Sequence, residues 1–184
     1  MTRNLSLIAA LTLGFAVLAI AGGCAETPKT ELRKAELHAE AMDAIARFKS
    51  ADPGTATLFN GAVGYAVFPT VTKGGAGIGA AHGIGELFEG GNVVGICTLN
   101  QATIGLQLGG QAYSEVIFFQ TKEALNSFKR GDFEFSGQAS GAAIKAGGAA
   151  NAKYEGGVLV MTLTKGGLMG EASVGGQKFS VTPK

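Results

Sequence analysis

Two glycine-rich stretches carry the same cation at the same offset. Thr70 to Gly83 reads TVTKGGAGIGAAHG and Thr162 to Gly175 reads TLTKGGLMGEASVG, so Thr70, Thr72, Lys73, Gly74, Gly75, Ala80 and Gly83 all recur in the second copy. The chemistry open to such a Lys-Gly-Gly is anion binding. An ammonium beside backbone N–H groups that no side chain shields suits a phosphate. The threonines favour extended backbone and the glycines supply the positive φ of hairpin turns, so each copy is expected to be strand, tight turn, strand. Lys73, Gly74, Gly75 and Lys165, Gly166, Gly167 are the candidate binding residues, and the alternative is a solvated lysine at the tip of each turn.

Other chemistries are absent from the pattern. Lys73 precedes its glycines, whereas the lysine of a Walker loop follows them, and Gly77-Ile78-Gly79-Ala80-Ala81 meets His82 where a dinucleotide fingerprint demands glycine. The run GQASG around Ser140 is not a nucleophile elbow. His38 and His82 have no partner at metal-ligand spacing, so no metal is expected. Asp132 and Glu134 alternate with Phe133 and Phe135 and read as the exposed side of a strand. No cofactor motif and no enzyme site emerges.

The chain begins with a segment that has to be set apart from the fold. Arg3, an apolar run from Leu5 to Ile20 and small residues leading to Cys24 have the layout of a secretory signal peptide. A cysteine directly after AGG resembles a bacterial lipobox, in which cleavage before the cysteine is followed by alkylation of its thiol with a diacylglyceryl group. A transmembrane helix is the competing reading of the run, but such an anchor has no reason to end in Gly-Gly-Cys. The expected organisation is a lipoprotein signal peptide over 1–23, a tether over 24–30 lipidated at Cys24, and a single domain over 31–184. With the first cysteine lipidated, Cys97 in the apolar stretch NVVGICTL is left as a small buried hydrophobe and no disulfide is expected.

Without the leader, fourteen basic residues face fourteen acidic ones, a balance that excludes nucleic acid as a partner. The remaining ~160 residues suffice for one domain with its own core. Glu31 to Lys49 reads as a helix: Arg33, Glu36, Glu40, Asp43 and Arg47 form a polar stripe, and Leu32, Ala35, Ala39, Met42, Ile45 and Ala46 lie opposite it. The three acids of that stripe argue against an anionic membrane surface, so the helix is expected to pack on the domain through its apolar side. A short helix follows from Asp52 and Pro53 to Asn60-Gly61, and a third spans Lys122 to Lys129, capped by Thr121 and closed by Gly131.

The rest reads as strands: VGYAVFP, GGAGIGAA, VVGICTL, ATIGLQLG, YSEVIFFQ, VLVMTLT and GLMGEASV. Gly75, Gly77 and Gly79 alternate with Ala76, Ile78 and Ala80, and Gly105 and Gly109 alternate with apolar neighbours, which leaves one face of each strand nearly bare. Either another layer of backbone or a ligand comes close there; the first is the structural reading. The expected fold is α+β: a compact, strongly curved antiparallel β-sheet or small barrel, with an N-terminal amphipathic helix and one or two further short helices.

The stretches YAVFPTVTKGGAGIG, TIGLQLGGQAYSEVIFFQTKEALNSFKRGDFEFSGQASGAA and LTKGGLMGEASVGG, in this order, resemble the SYLF domain, the Ysc84 or Las17-binding actin-regulator family, over roughly 58–179. The resemblance implies a non-enzymatic lipid-binding module. Eukaryotic relatives bind phosphoinositides and, in yeast, actin filaments; bacterial relatives are short exported proteins or lipoproteins. Lys73 matches the lysine after the family's VFPxV, and Lys165 the lysine before its final Gly-Gly. In a bacterium an anionic phospholipid takes the place of the phosphoinositide. The implied location is the cell envelope, in the outer membrane facing the periplasm, with a protein partner there as the alternative to a lipid ligand.

Overall fold

The computed structural model describes residues 30–132, 134–135, 149, 152–164, 167–169 and 176–184. Helix α1 (Glu31–Ala51) starts at Thr30, whose side chain accepts from the Arg33 N–H, and α2 (Thr55–Gly61) follows directly. Asp52 joins them: its Oδ1 accepts from Gly54 N at 2.8 Å and its Oδ2 from Ala149 N at 2.9 Å. Strands β1 (Gly64–Glu89) and β2 (Asn92–Phe119) come next, then α3 (Lys122–Arg130), β3 (Glu134–Phe135), β4 (Val158–Thr164), β5 (Gly167–Met169) and β6 (Gln177–Pro183). All pairings are antiparallel, the order is β3-β6-β2-β4-β5 with β1 on β2, and the sheet is curved but not closed. The expected α+β class is therefore observed, with the curved sheet rather than the barrel of the two alternatives. Thr121 caps α3 and Gly131 ends it at φ 73°, as its sequence signals require.

Five of the short runs are two very long strands. GYAVFP and GGAGIGAA belong to β1, which has 26 residues; VVGICTL, ATIGLQLG and YSEVIFF belong to β2, which has 28. They are joined at Gly90-Gly91, with φ 57° and 80°, a two-residue hairpin that needs positive φ at both positions. The tight turn expected at Gly74-Gly75 does not exist. Those residues continue β1 and pair with Gly110 and Gly109.

Glycine is needed in these strands because the β1–β2 ribbon doubles back on itself. A Cβ on Gly85 would sit 2.2 Å from the Val67 carbonyl oxygen, one on Gly83 would sit 2.9 Å from Val71 Cγ2, and one on Gly64 would sit 2.8 Å from the Phe88 carbonyl oxygen. The two halves of β1 thus press against each other with 64 near 88, 67 near 85 and 71 near 83, and the fold line falls in the glycine-rich middle. There the register slips: Ala76 faces Leu108 and Ile78 faces Ile104, so β2 carries extra residues opposite Gly77. Such an irregularity bends a ribbon, and glycines on both strands let it bend sharply. At Gly64, Gly83 and Gly85 the layer that comes close is the other half of the same ribbon.

Two cores result. Between the ribbon halves lie Phe68, Leu87, Leu99, Ile117 and Phe119, closed by Phe128 of α3 and Phe179 of β6. Phe128 stands 4.9 Å from Phe119 and 5.0 Å from Phe179, ring centre to ring centre. Fully burying one such side chain contributes about 1.5–3 kcal/mol. On the outer face, Ala41, Ala44, Ile45 and Phe48 of α1 and Phe59 of α2 cover Val67, Val116, Phe118, Leu159 and Met161. Helix α1 packs on the domain as expected, but through Leu37, Ala41, Ala44, Ile45 and Phe48; of the stripe read from the sequence only Ile45 is buried. The larger side chains, Leu37 and Phe48, decide which of two apolar faces turns inward.

Gly85→Ala is expected to cost on the order of 1–3 kcal/mol in denaturant unfolding, because the Val67 backbone must move. Gly110→Ala, whose Cβ would meet only Lys73 O at 3.7 Å, is expected to fall within about 0.5 kcal/mol of the parent. Equal losses at both positions would show that the ribbon is not folded on Gly85.

Candidate functional site

The lysine of the first copy is not at the surface. Lys73 is 3 % exposed, and its strand neighbours Thr70 and Thr72 take the outward positions. The cause is a bulge. Phe68 faces Glu115 and Val71 faces Tyr113, so Pro69 and Thr70 together oppose Ser114. Proline has no N–H for the ladder, and Ser114 Oγ instead donates to the Pro69 carbonyl at 2.6 Å. One extra residue inverts the alternation beyond it. Counting by twos from Phe68 would put Thr70 and Thr72 inside; the bulge puts Val71 and Lys73 there.

Lys73 accordingly shares the inner face with a set of polar residues. Tyr113 is 5 %, Gln101 6 % and Glu115 1 % exposed, and alternation from the core residues Leu99 and Ile117 places Gln101 and Glu115 on the inner face. Gln177 of β6, paired with Gln101, donates from Nε2 to Glu115 Oε2 at 3.2 Å. This bond links the β6 side of the folded ribbon to its β4 side. Buried polar groups of this kind stabilise only when their hydrogen bonds are made. An ammonium held there faces protein, and Gly74 and Gly75 are mid-strand residues beside it. The structure does not bring them to an open anion-binding turn.

The second copy differs. β4 and β5 pair antiparallel with Thr164 opposite Gly167, so strands flank this copy on both sides. Lys165 and Gly166 lie outside the described residues, as does Cys24, so the structure places Gly167 alone of that candidate set. The two copies are therefore not structural equivalents: the first is the interior of one long strand.

The remaining reactive types are accounted for. Cys97 is a free, buried thiol whose ionisation burial pushes far up, with the Glu86 carboxylate adding to the shift. His82 Nδ1 lies 2.8 Å from Asn100 Oδ1 across the strand pair. No cluster of three metal-ligating side chains occurs among the described residues, nor any helix long and apolar enough to cross a membrane.

Sequence reading missed one surface feature. Leu32, 70 % exposed, and Met42, 48 % exposed, both stand on α1, in line with the exposed Ala35, Ala39 and Ala46. That 3,4,3,4 stripe is the apolar side assigned to packing in the sequence; with Leu37 and Phe48 buried instead, it faces outward. Counting both apolar faces of the helix, rather than one, would have revealed it.

Residues 100–184 match a family model described as Ysc84, Las17-binding protein actin regulator. Beta cell expansion factor A of Aeromonas veronii is 29% identical over 166 residues, covering 83% of this chain and 59% of the relative. The chain thus spans about three fifths of the length of that curated relative. The family match begins inside β2 and takes in α3 and β3 to β6.

The burial of Lys73 is directly testable. Lys73→Glu is expected to destabilise the domain by on the order of 2–4 kcal/mol, since an acid would replace a buried base. The exposed Lys153→Glu is expected to change stability by less than about 0.5 kcal/mol in the same urea titration. A tolerated Lys73→Glu would return this residue to the surface.

Proposed function

We propose, from the premise that residues 100–184 carry the SYLF (Ysc84) domain, that this protein is an exported lipoprotein whose non-enzymatic domain binds lipid at the membrane holding its own anchor. The observation that carries the reading is the outward apolar stripe of α1, whose Leu32 and Met42 are large and exposed. Cys24 is seven residues from Glu31, so a tether of that length keeps the start of α1 within about 25 Å of the acylated sulfur. At that distance a helix with an apolar stripe can lie in the headgroup boundary, and its charges of both signs need no anionic surface to keep it there. Lys165, Gly166 and Gly167 are the proposed headgroup ligands for an anionic phospholipid, with an ammonium beside glycine N–H groups. The family's description as Las17-binding supports a second reading, in which the same stripe docks an envelope protein and lipid contact is confined to the anchor. The proposed location is the outer membrane, facing the periplasm.

Flotation of the unlipidated chain with vesicles separates the readings. Binding to phosphatidylglycerol vesicles is expected, weakened at least tenfold by Leu32→Glu with Met42→Glu; a tenfold change corresponds to about 1.4 kcal/mol. Lys165→Glu is expected to weaken binding to anionic vesicles at low salt and to matter less at high salt, because surface charges are screened within roughly 8 Å at physiological ionic strength. Absence of any vesicle binding by the unaltered chain would favour the protein-docking reading. In cells, Cys24→Ser is expected to abolish incorporation of labelled fatty acid; mature wild-type protein with an unmodified Cys24 would remove the lipoprotein assignment.

A further inference from the structure

A cleft of about 510 Å³ opens between the first two turns of α1 and the strands that carry Glu86, Ile96 and Thr182. Glu86 lies on its floor, next to Ile96 and then Thr182 across the strands. The Glu86 side chain is 6 % exposed, and its Oε2 lies 2.8 Å from Nδ1 of His38, whose ring is half exposed. A buried carboxylate is costly unless its oxygens are well partnered, and an imidazole N–H supplies only one hydrogen bond. The mouth carries charges of both signs. Lys34 and Lys184 line it with Glu31, which Lys34 contacts at 2.9 Å. The Lys34 ammonium, with a smaller contribution from Lys184, holds the Glu31 carboxyl below its ordinary range. Two ammonium groups thus share one exposed carboxylate at the rim, while an acid sits on the floor.

We infer that this cleft is a binding site for a short zwitterion, an aminoalkyl phosphate, with its ammonium on Glu86 and its phosphate between Lys34 and Lys184. Glu86 and Lys184 are two strands and two residues apart on one face, about 12 Å between Cα atoms. Subtracting the reach of both side chains leaves a gap of a few ångströms, the span of a two-carbon linker. Ala35 and Val93 give that linker apolar walls. His38 keeps the carboxylate oriented through its Nδ1–H, and a phosphate offers enough oxygens to accept from both lysines. The same chemistry occurs in free phosphoethanolamine and in the headgroup of an ethanolamine phospholipid. The inference does not depend on the anionic-lipid reading, which places its ligands at the second glycine pair.

The test is a titration of the chain from Cys24 onward, which contains every described element, with phosphoethanolamine, followed by amide resonances of α1 and β1. Saturable shifts at His38 and Glu86 are expected. Lys184→Ala should weaken binding about tenfold, and Ala35→Phe, which fills the cleft from an exposed helix position, should abolish it, both with unchanged melts. Glu86→Gln should lose binding more than tenfold, and β-alanine, with a carboxylate for the phosphate, should bind at least fivefold more weakly. Vesicles of phosphatidylethanolamine and phosphatidylcholine that displace the probe identify the headgroup as the source; vesicles that do not displace it identify the free compound. Unmoved resonances at saturating phosphoethanolamine, or binding that survives both Ala35→Phe and Lys184→Ala, would overturn the inference and leave His38–Glu86 as a latch between helix and sheet. Equal binding of β-alanine would overturn the phosphate assignment. Binding to phosphatidylglycerol vesicles is a separate readout, so failure here and failure of the anionic-lipid reading are told apart.

Discussion

The contact of Gly85 with the Val67 carbonyl is the constraint on which the rest of the structure depends. With 2.2 Å available for a Cβ, only a residue without one allows the two halves of β1 to touch. That approach doubles the β1–β2 ribbon, and doubling gives a sheet of modest strand number an interior. Phe68 from one half and Leu87 from the other enter the same core, and β4 and β6 each extend a different half through β2. Helices α1 and α3 then find two separate places to pack, one outside the fold and one closing it. Glycine in strands costs conformational entropy, and here that cost is offset by apolar area that a flat ribbon could not bury.

How the chain can be read in advance follows from the same geometry. The glycine richness of the strands was legible, as were the α+β class and the capped helix α3. The length of the strands was not, because a glycine pair carries the same composition in a hairpin tip and in the bend of a continuous strand. Gly90-Gly91 and Gly156-Gly157 have the partner pattern of a turn, with Glu89 facing Asn92 and Glu155 facing Val158. Lys73 was placed at a turn tip for the same reason, whereas it continues β1, and one bulge residue beside Pro69 turns its side of the strand inward.

Helix α1 shows a different limit. Its sequence is apolar on two opposed faces, and pattern alone does not say which one the sheet will accept. Packing chose Phe48, Leu37 and Ile45, whose volume fills the surface left by Val67, Val116 and Phe118, and left the alanine-rich face with Leu32 and Met42 in solvent. The helix thereby presents an apolar stripe on its outward face.

The two functional readings of this surface are coupled through where α1 lies. The helix covers Val116, Phe118 and Phe88, while its first turns form one wall of the Glu86 cleft. An interaction that engages Leu32 therefore acts on the same turn that carries Lys34 and Ala35, residues at the rim of that cleft. His38 ties this turn to β1 through Glu86, so the helix cannot tilt toward a surface without straining that bond or carrying the cleft with it. A membrane contact on the outer stripe and a ligand beneath the helix would then each favour one seating of α1, which is the physical requirement for linkage between two sites.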